Sequence, residues 1–397
     1  MILNLIFGSL ALLSLALLLW QWFVARGFPL HQRVTDPSFA PDVTLLKPLK
    51  GCDDATEDCL RSWFAQEYGG RVQILFGVAS AEDAVCTIVQ HLQKEFPGSD
   101  AQLFVCGPLT GTNAKVSKLA QLEPLAKHDV FVISDADVRV PPDFLANVVA
   151  PFHPSTPDTS SRRSQTETDR PSSPACALVN CFYRLANPTT AAMQWEAIAI
   201  NADFWSQVLQ SRSLKPLDFA LGAVMAVQRT QLKEIGGFEA LKDCLADDYQ
   251  LGNRIAKLGY PLELSSVVVE CWSEPMSWAA VWKHQLRWSR TIRVCQPGPY
   301  FFSILSNPTL WPLLWLGVCH TSLALTFLCV AFVLRVPLAR DLQYRLTHAR
   351  APLSWLWLVP TKDLLQAALW LMAYAGNTVE WRGQRLRLRR DGTLVKD

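Results

Sequence analysis

Three groups of residues have the types and spacing to do chemistry. Asp135 and Asp137 close the apolar, β-branched run Val130–Ser134, one residue apart. Alternation along a strand would point both side chains the same way, into the crevice where ligands of such sheets collect. Two close carboxylates repel unless a cation lies between them, and a hard divalent ion such as Mg²⁺ or Mn²⁺, shared with a substrate diphosphate, meets that need. The competing reading is a pair of solvated turn aspartates. The second group is Asp247 and Asp248, after Ala246. An acidic pair suits the first turn of a helix, where the dipole favours it. Equally, a carboxylate beside another and partly desolvated suits a general base that takes a proton from an acceptor hydroxyl. The third is His284, Arg287 and Trp288, which at i, i+3 and i+4 share one helical face. The guanidinium offers a planar fork to a diphosphate, and the indole a platform for a sugar ring or lipid. An amphipathic interfacial helix with snorkelling cations accounts for the same residues.

The elements that must position these groups follow from hydrophobic period. Val43–Leu46, Val72–Val78, Gln102–Cys106 and Val130–Ser134 read as strands, with helical spacing in Glu57–Gln66 and Val85–Glu95 between them. That alternation predicts an α/β domain with a parallel sheet covered by helices on both faces. Asp53 and Asp54 read as caps of the helix that follows them, with a nucleotide contact as the alternative. Residues 154–174 hold almost nothing able to enter a core and read as a disordered insertion.

Apolar segments flank the domain. Residues 2–24 carry no charge and exceed the roughly 20 residues a bilayer crossing needs. A cleaved signal peptide would want a basic start and a small-residue cleavage site, whereas Trp20, Trp22 and Phe23 end this stretch. Arg26 and Arg33 follow it, so the positive-inside rule puts the domain in the cytoplasm. Leu310–Leu334 is a second candidate span. Leu353–Ala375 is a weaker one, interrupted by Lys362 and Asp363, and two shorter interfacial pieces would also account for it. The basic run 381–390 should stay cytoplasmic, although Arg335, Arg340, Arg345 and Arg350 in the intervening segment resist a simple topology. The expected organisation is therefore an anchor at 1–25, a catalytic domain at 40–300, membrane or interfacial helices at 301–380 and a basic cytoplasmic tail at 381–397.

Composition excludes other classes. With 50% hydrophobic and 18% charged residues, the 397-residue chain is too apolar for an ordinary soluble enzyme and not apolar enough for a polytopic transporter. A net charge of +2, without Lys/Arg runs interleaved with aromatics, gives no groove for nucleic acid. Eleven scattered cysteines without a CxxC pair read as reduced core residues.

Together, and in this order, these signals resemble the GT-A fold glycosyltransferases with a D, D, D, (Q/R)xxRW pattern. More narrowly, the chain is similar to the ceramide glucosyltransferase family, glycosyltransferase family 21, including a bacterial branch associated with hopanoid biosynthesis. Supporting residues run from Leu45–Gly51 through Glu82 and Asp83, Gly111–Val116, Asp135–Val140 and Ala246–Tyr249 to Arg287 and Trp288. The resemblance implies that Asp83 binds the donor's uridine and that Lys115 lines the nucleotide site. Asp135 and Asp137 would hold the sugar diphosphate and its metal, Asp248 would be the base, and Arg287 with Trp288 would bind the diphosphate and floor the acceptor site. His284 stands where the family has Gln or Arg; an imidazole still donates to a phosphate but carries charge less constantly. The implied reaction moves glucose or N-acetylglucosamine, with inversion, from a UDP-sugar to the hydroxyl of a membrane lipid, ceramide or a hopanoid. A processive polysaccharide synthase would bring more membrane segments to form a channel. A nucleotide-binding receptor without chemistry has no need of Asp248, and a hydrolase with paired carboxylates leaves the uridine-site residues unexplained.

Overall fold

The computed structural model describes residues 1–34, 36, 38–153, 176–381 and 384–396; the insertion expected at 154–174 lies outside them. The chain divides into two compact units. One comprises His31–Phe182 and Pro216–Trp272, the other Met1–Leu30, Tyr183–Lys215 and Ser273–Asp397.

The first unit is built on a sheet. Its strands are β1 (Val43–Pro48), β2 (Val72–Val78), β3 (Asp100–Val105), β4 (Val130–Ser134), β5 (Val138–Arg139), β6 (Leu178–Leu185), β7 (Val224–Gln228) and β8 (Leu262–Cys271). In space they run β3-β2-β1-β4-β7-β6-β8-β5. β1 is buried along its whole length and pairs in parallel with β2 and β4. A strand covered on both faces reads as a continuous apolar run rather than an alternation, as Val43–Leu46 does. Helices Thr56–Phe64, Val85–Glu95 and Ala114–Leu122 supply the crossovers that parallel neighbours require. The expectation of a parallel sheet is corrected beyond β4, where β7 pairs antiparallel with β4 and with β6. The sheet is mixed, because apolar period sets a strand's burial but carries no information about its direction. Asp53 accepts from the Ala55 N–H and the Thr56 hydroxyl at 3.0 and 2.7 Å, closing the turn ahead of helix Thr56–Phe64.

The second unit is helical. Helix Ile2–Gly27 buries one stripe, with Ala11, Ser14, Leu15, Leu18, Gln21 and Ala25 facing protein. Leu3, Leu5, Leu12, Leu19 and Phe23 on its other sides are exposed. So much bare apolar surface suits contact with lipid. Among the described residues, two helices, Ile2–Gly27 and Ser322–Thr347, are long and apolar enough to cross a membrane. The segments Pro297–Ser306 and Leu310–Cys319, bent by 58° at their break, would be a third as one broken span or a re-entrant loop.

Here the structure departs from the sequence reading. Leu310–Leu334 is not one helix: it breaks at His320, whose φ of 49° is left-handed, and the long helix restarts at Ser322. Arg335, Arg340 and Arg345 lie inside that helix rather than in a loop. Trp355–Tyr374 is a single helix, and its charges are paired. Arg335 bonds Asp203 and Asp363, each at 2.8 Å, while Lys362 bonds Asp203 and lies 3.3 Å from Asp363. Thr309 adds a hydroxyl to Asp363 at 2.7 Å. Two cations and two carboxylates thus close on one another away from water, the arrangement that makes buried charge tolerable. Asp203 ends a stretch of π-helix, Ala199–Phe204. The basic C-terminal segment, read as a tail, folds into an antiparallel sheet of β9 (Thr378–Trp381), β10 (Gln384–Leu388) and β11 (Leu394–Lys396). Leu386 and Leu388 bury one face of β10 while Arg385 and Arg387 stay outside, the period-two pattern of a half-buried strand. No disulfide joins any of the eleven cysteines.

Candidate functional site

In the sheet unit, the candidate residues gather at the carboxyl ends of β1, β2 and β4. β4 stops at Ser134, so Asp135 and Asp137 sit in the turn between β4 and β5 rather than on a strand. Strand alternation therefore does not orient them as the sequence suggested. The turn is held from below by Lys47 of β1, which is wholly buried. Its ammonium donates to the Asp135 carbonyl at 2.7 Å and the Ser134 hydroxyl at 3.1 Å, and lies 4.6 Å from the Trp63 ring. Burial pushes the Lys47 ammonium down to about 7.

Lys115 joins the two acidic groups. Asn113 caps helix Ala114–Leu122, accepting from the N–H groups of Lys115 and Val116 at 3.0 and 3.2 Å. The same side chain donates to the Cys244 carbonyl at 2.7 Å. Thr112 adds two bonds to Asp243 at 2.9 and 3.1 Å. These contacts zip the two loops together and set the Lys115 ammonium 2.8 Å from Asp135 and 3.1 Å from Asp247. Burial opposes its charge, but Asp135 and Asp247 outweigh that loss and hold it above the usual lysine range. Asp247 and Asp248 do occupy the first turn of a helix, Asp247–Lys257, as the simpler reading expected. Asp248 nonetheless feels more than the dipole: burial, and then the Asp247 charge, push its carboxyl up to about 6. A Cβ on Gly222 would come within 2.6 Å of Asp248 Oδ2, so the carboxylate rests against bare backbone.

Asp137 is exposed to water yet pushed up to about 6 by loss of hydration and by the neighbouring Asp135 charge. Of the four aspartates here, Asp135 and Asp247 pair with Lys115, and Asp137 and Asp248 have no ion pair among the described residues. That excess of negative charge, with hard oxygen donors at Asp135 and Asp137, fits a divalent ion such as Mg²⁺ or Mn²⁺ that completes its shell with phosphate and water. Glu57, His91 and Glu95 also converge, but on the surface and around Arg61, which bonds both glutamates. Asp83 accepts from the Gly51 N–H through both oxygens, at 3.0 and 3.1 Å, and so ties the loop after β1 to the loop after β2.

His284, Arg287 and Trp288 belong to the helical unit, on helix Trp278–Cys295. Their common face is real: the His284 and Trp288 rings meet edge to face at 4.7 Å. The His284 ring is oriented by Glu196, buried on helix Ala191–Ile198. One Glu196 oxygen lies 2.7 Å from His284 Nδ1 and 2.8 Å from Gln285 Nε2. An imidazole that donates from Nδ1 presents Nε2 as an acceptor, so Glu196 sets which way the ring faces its surroundings.

Sequence reasoning missed Lys47, Gly222 and Glu196 as parts of these arrangements and gave Asp247 no role. Two of them left a signal, a lone charge inside an apolar run: Lys47 in Val43–Leu49 and Glu196 in Ala191–Ile198. Gly222 left none, since its requirement is set by a residue 26 positions away.

Comparison with known proteins agrees with this architecture. The chain is 24% identical over 241 residues to ceramide glucosyltransferase 3 of Caenorhabditis elegans, a match covering 60% of this chain and 48% of that protein. It is 32% identical over 125 residues to a ceramide glucosyltransferase of Candida albicans, covering 29% of this chain and 23% of the relative. The match thus spans about half the length of the first of these relatives and less of the second. Among solved structures, a mannosyltransferase from Pyrobaculum calidifontis, in complex with GDP-Man and Mn²⁺, superposes with a TM-score of 0.54 at 19% identity. The superposition covers 91% of this chain and 99% of that one, and at such identity it speaks for the fold alone, GT-A. The pattern of glycosyl transferase family 21 matches residues 6–159 and 166–394, nearly the whole chain, and the chain is a member of that family.

Proposed function

We propose that this chain transfers a hexose, glucose or N-acetylglucosamine, from a UDP-sugar to the primary hydroxyl of a ceramide-type membrane lipid, with inversion at the sugar. The observation that carries the reading is the Asp248 carboxyl, pushed up to about 6 beside the Lys115 clamp. A general base works best when its pKa lies near the operating pH, and an ordinary surface aspartate lies too low.

In this mechanism Asp248 takes the hydroxyl proton as the lipid oxygen attacks the anomeric carbon. The bond from that carbon to the diphosphate breaks, and UDP leaves with the electron pair. Asp135 and Asp137 would hold Mg²⁺ or Mn²⁺, which when bound supplies charge stabilisation to the departing diphosphate. Lys115 keeps Asp135 and Asp247 in place and, among the described residues, leaves Asp137 and Asp248 without an ion pair. Asp83 contributes to the uridine end of the donor site. Arg287 binds the diphosphate, and Trp288 with His284 lines the acceptor site. Arg26, just inside the end of the first helix, and Arg33 after it favour a cytoplasmic sheet unit, where UDP-sugars reach it directly.

The test is transfer by the purified, detergent-solubilised chain with Mg²⁺ or Mn²⁺. UDP-glucose and UDP-N-acetylglucosamine are each offered against ceramide and a polyhydroxylated hopanoid. Metal-dependent glycolipid that vanishes in Asp248→Asn while UDP binding persists supports the reading. Product with the hopanoid alone replaces the acceptor, and UDP binding with no product from any pair leaves a nucleotide-binding protein instead.

A further inference from the structure

The C-terminal sheet carries cations that the proposed reaction does not use. Arg387, Arg389, Arg390 and Lys396 line one concavity of about 700 Å³ together with Asn377. A second hollow, of about 450 Å³, shares Asn377 and Arg387 with it and continues to Tyr374 and Gly376. The two form a groove from the end of helix Trp355–Tyr374 to the turn between β10 and β11.

None of these four cations has an ion pair or side-chain hydrogen bond among the described residues. Of the nearby acids, Asp391 bonds within its own turn and feels the Arg389 charge, and Glu380 pairs outside the groove. Asp391, in the β10–β11 turn, accepts from the Thr393 N–H and hydroxyl at 3.0 and 2.7 Å. Glu380 of β9 pairs with Lys283 at 2.9 Å. Arg290 and Arg293 add to the same end of the unit, bonding the Thr378 carbonyl and the Asn377 side chain. Burial, and then the Arg293 charge, hold the Arg290 guanidinium below its ordinary range.

Exposed apolar side chains stand next to the other end of the groove, on the helix that leads into it. Leu371, Met372 and Tyr374, in the last turn of the helix, are all exposed. A free anion has no use for that surface, whereas an anionic phospholipid presents both a phosphate and acyl chains. Unpaired cations beside an apolar helix end match the polar–apolar boundary of an anionic leaflet.

We propose that the groove from Tyr374 to Arg390 is a binding site for the phosphate-bearing head group of an anionic phospholipid. It shares no residue with the transfer reaction, so either reading can fail without the other.

Purified full-length chain in non-ionic detergent is titrated with dioctanoyl phosphatidylglycerol, dioctanoyl phosphatidylcholine or inorganic phosphate. Retained lipid is counted by native mass spectrometry and the melting midpoint is followed. The proposal expects a retained phosphatidylglycerol and a raised midpoint. It expects little from phosphatidylcholine and no displacement by equimolar phosphate. The set Arg387→Gln, Arg389→Gln, Arg390→Gln and Lys396→Gln should weaken binding at least about tenfold, and Arg390→Gln alone, at the exposed turn, roughly fivefold. Replacing the three arginines with lysine should retain it. Should the fourfold variant not fold, the single and lysine variants decide by the same readout. Equal binding by Arg390→Gln and wild type, equal retention of phosphatidylcholine, or displacement by free phosphate overturns the proposal.

Discussion

Each unit of this protein draws aspartates and cations together away from bulk water, and the two do so to opposite ends. In the helical unit Arg335 and Lys362 meet Asp203 and Asp363, and the charges cancel within the cluster. In the sheet unit Asp135 and Asp247 share Lys115, and the two unpaired neighbours, Asp137 and Asp248, are pushed up to about 6. A balanced cluster holds helices together where lipid offers no solvation. An unbalanced one keeps a carboxylate strained toward protonation and leaves room for a cation, which is what proton transfer and diphosphate binding need.

Removing the proposed base should break the comparison most sharply. Asp248→Asn is expected to lower transfer about a thousandfold while UDP affinity holds. Metal-free, its melting temperature should equal or exceed that of the wild type. The sign follows from linkage: a carboxyl whose folded pKa is raised adds stability only while protonated, and that contribution is lost as pH rises through about 6. At neutral pH the charged group therefore costs stability, and its removal relieves the fold. The balanced cluster should answer in the other direction. Arg335→Leu leaves Asp203 and Asp363 to Lys362 alone and should cost about 3 kcal/mol, read as a lower melting temperature in detergent.

A smaller effect is expected from Gly222→Ala, whose new methyl would meet Asp248 Oδ2 at 2.6 Å. Displacing that carboxylate should lower kcat roughly thirtyfold, with the melting temperature little changed. A loss of stability with kcat preserved would mean that Gly222 serves packing alone. The smallest lever is pH. Transfer should be half-maximal near pH 6, level off about one pH unit above it and fall about fivefold between pH 6 and pH 5, as Asp248 takes up its proton. A profile flat down to pH 4.5 in initial-rate assays would remove Asp248 from the role of base.

Much of the sheet was legible in the sequence. Val72–Val78, Val130–Ser134 and Val85–Glu95 stand at the bounds that period and β-branching set, because burial on both strand faces or along one helix stripe is written in local residue types. The antiparallel entry of β7, the break at His320 and the folding of 384–396 into a sheet were not legible. Each depends on what the segment packs against. The helical unit shows the same limit: Lys362 and Asp363 look like a flaw in a membrane segment until Asp203, roughly 160 residues earlier, is brought beside them.

The sequence by itself determined the kinds of groups present and their local frames: an acidic pair after a buried strand, an acidic pair opening a helix, a helical His-Arg-Trp face and an apolar anchor. Only the tertiary structure decided which of those groups share a field. Lys115 meets both Asp135 and Asp247, Lys47 lies under the Asp135 turn, and Gly222 makes room for Asp248. The physical reason is that residue type and period act over a few positions along the chain, whereas hydration loss and Coulomb interaction act over a few ångströms in space. Folding alone converts the one into the other.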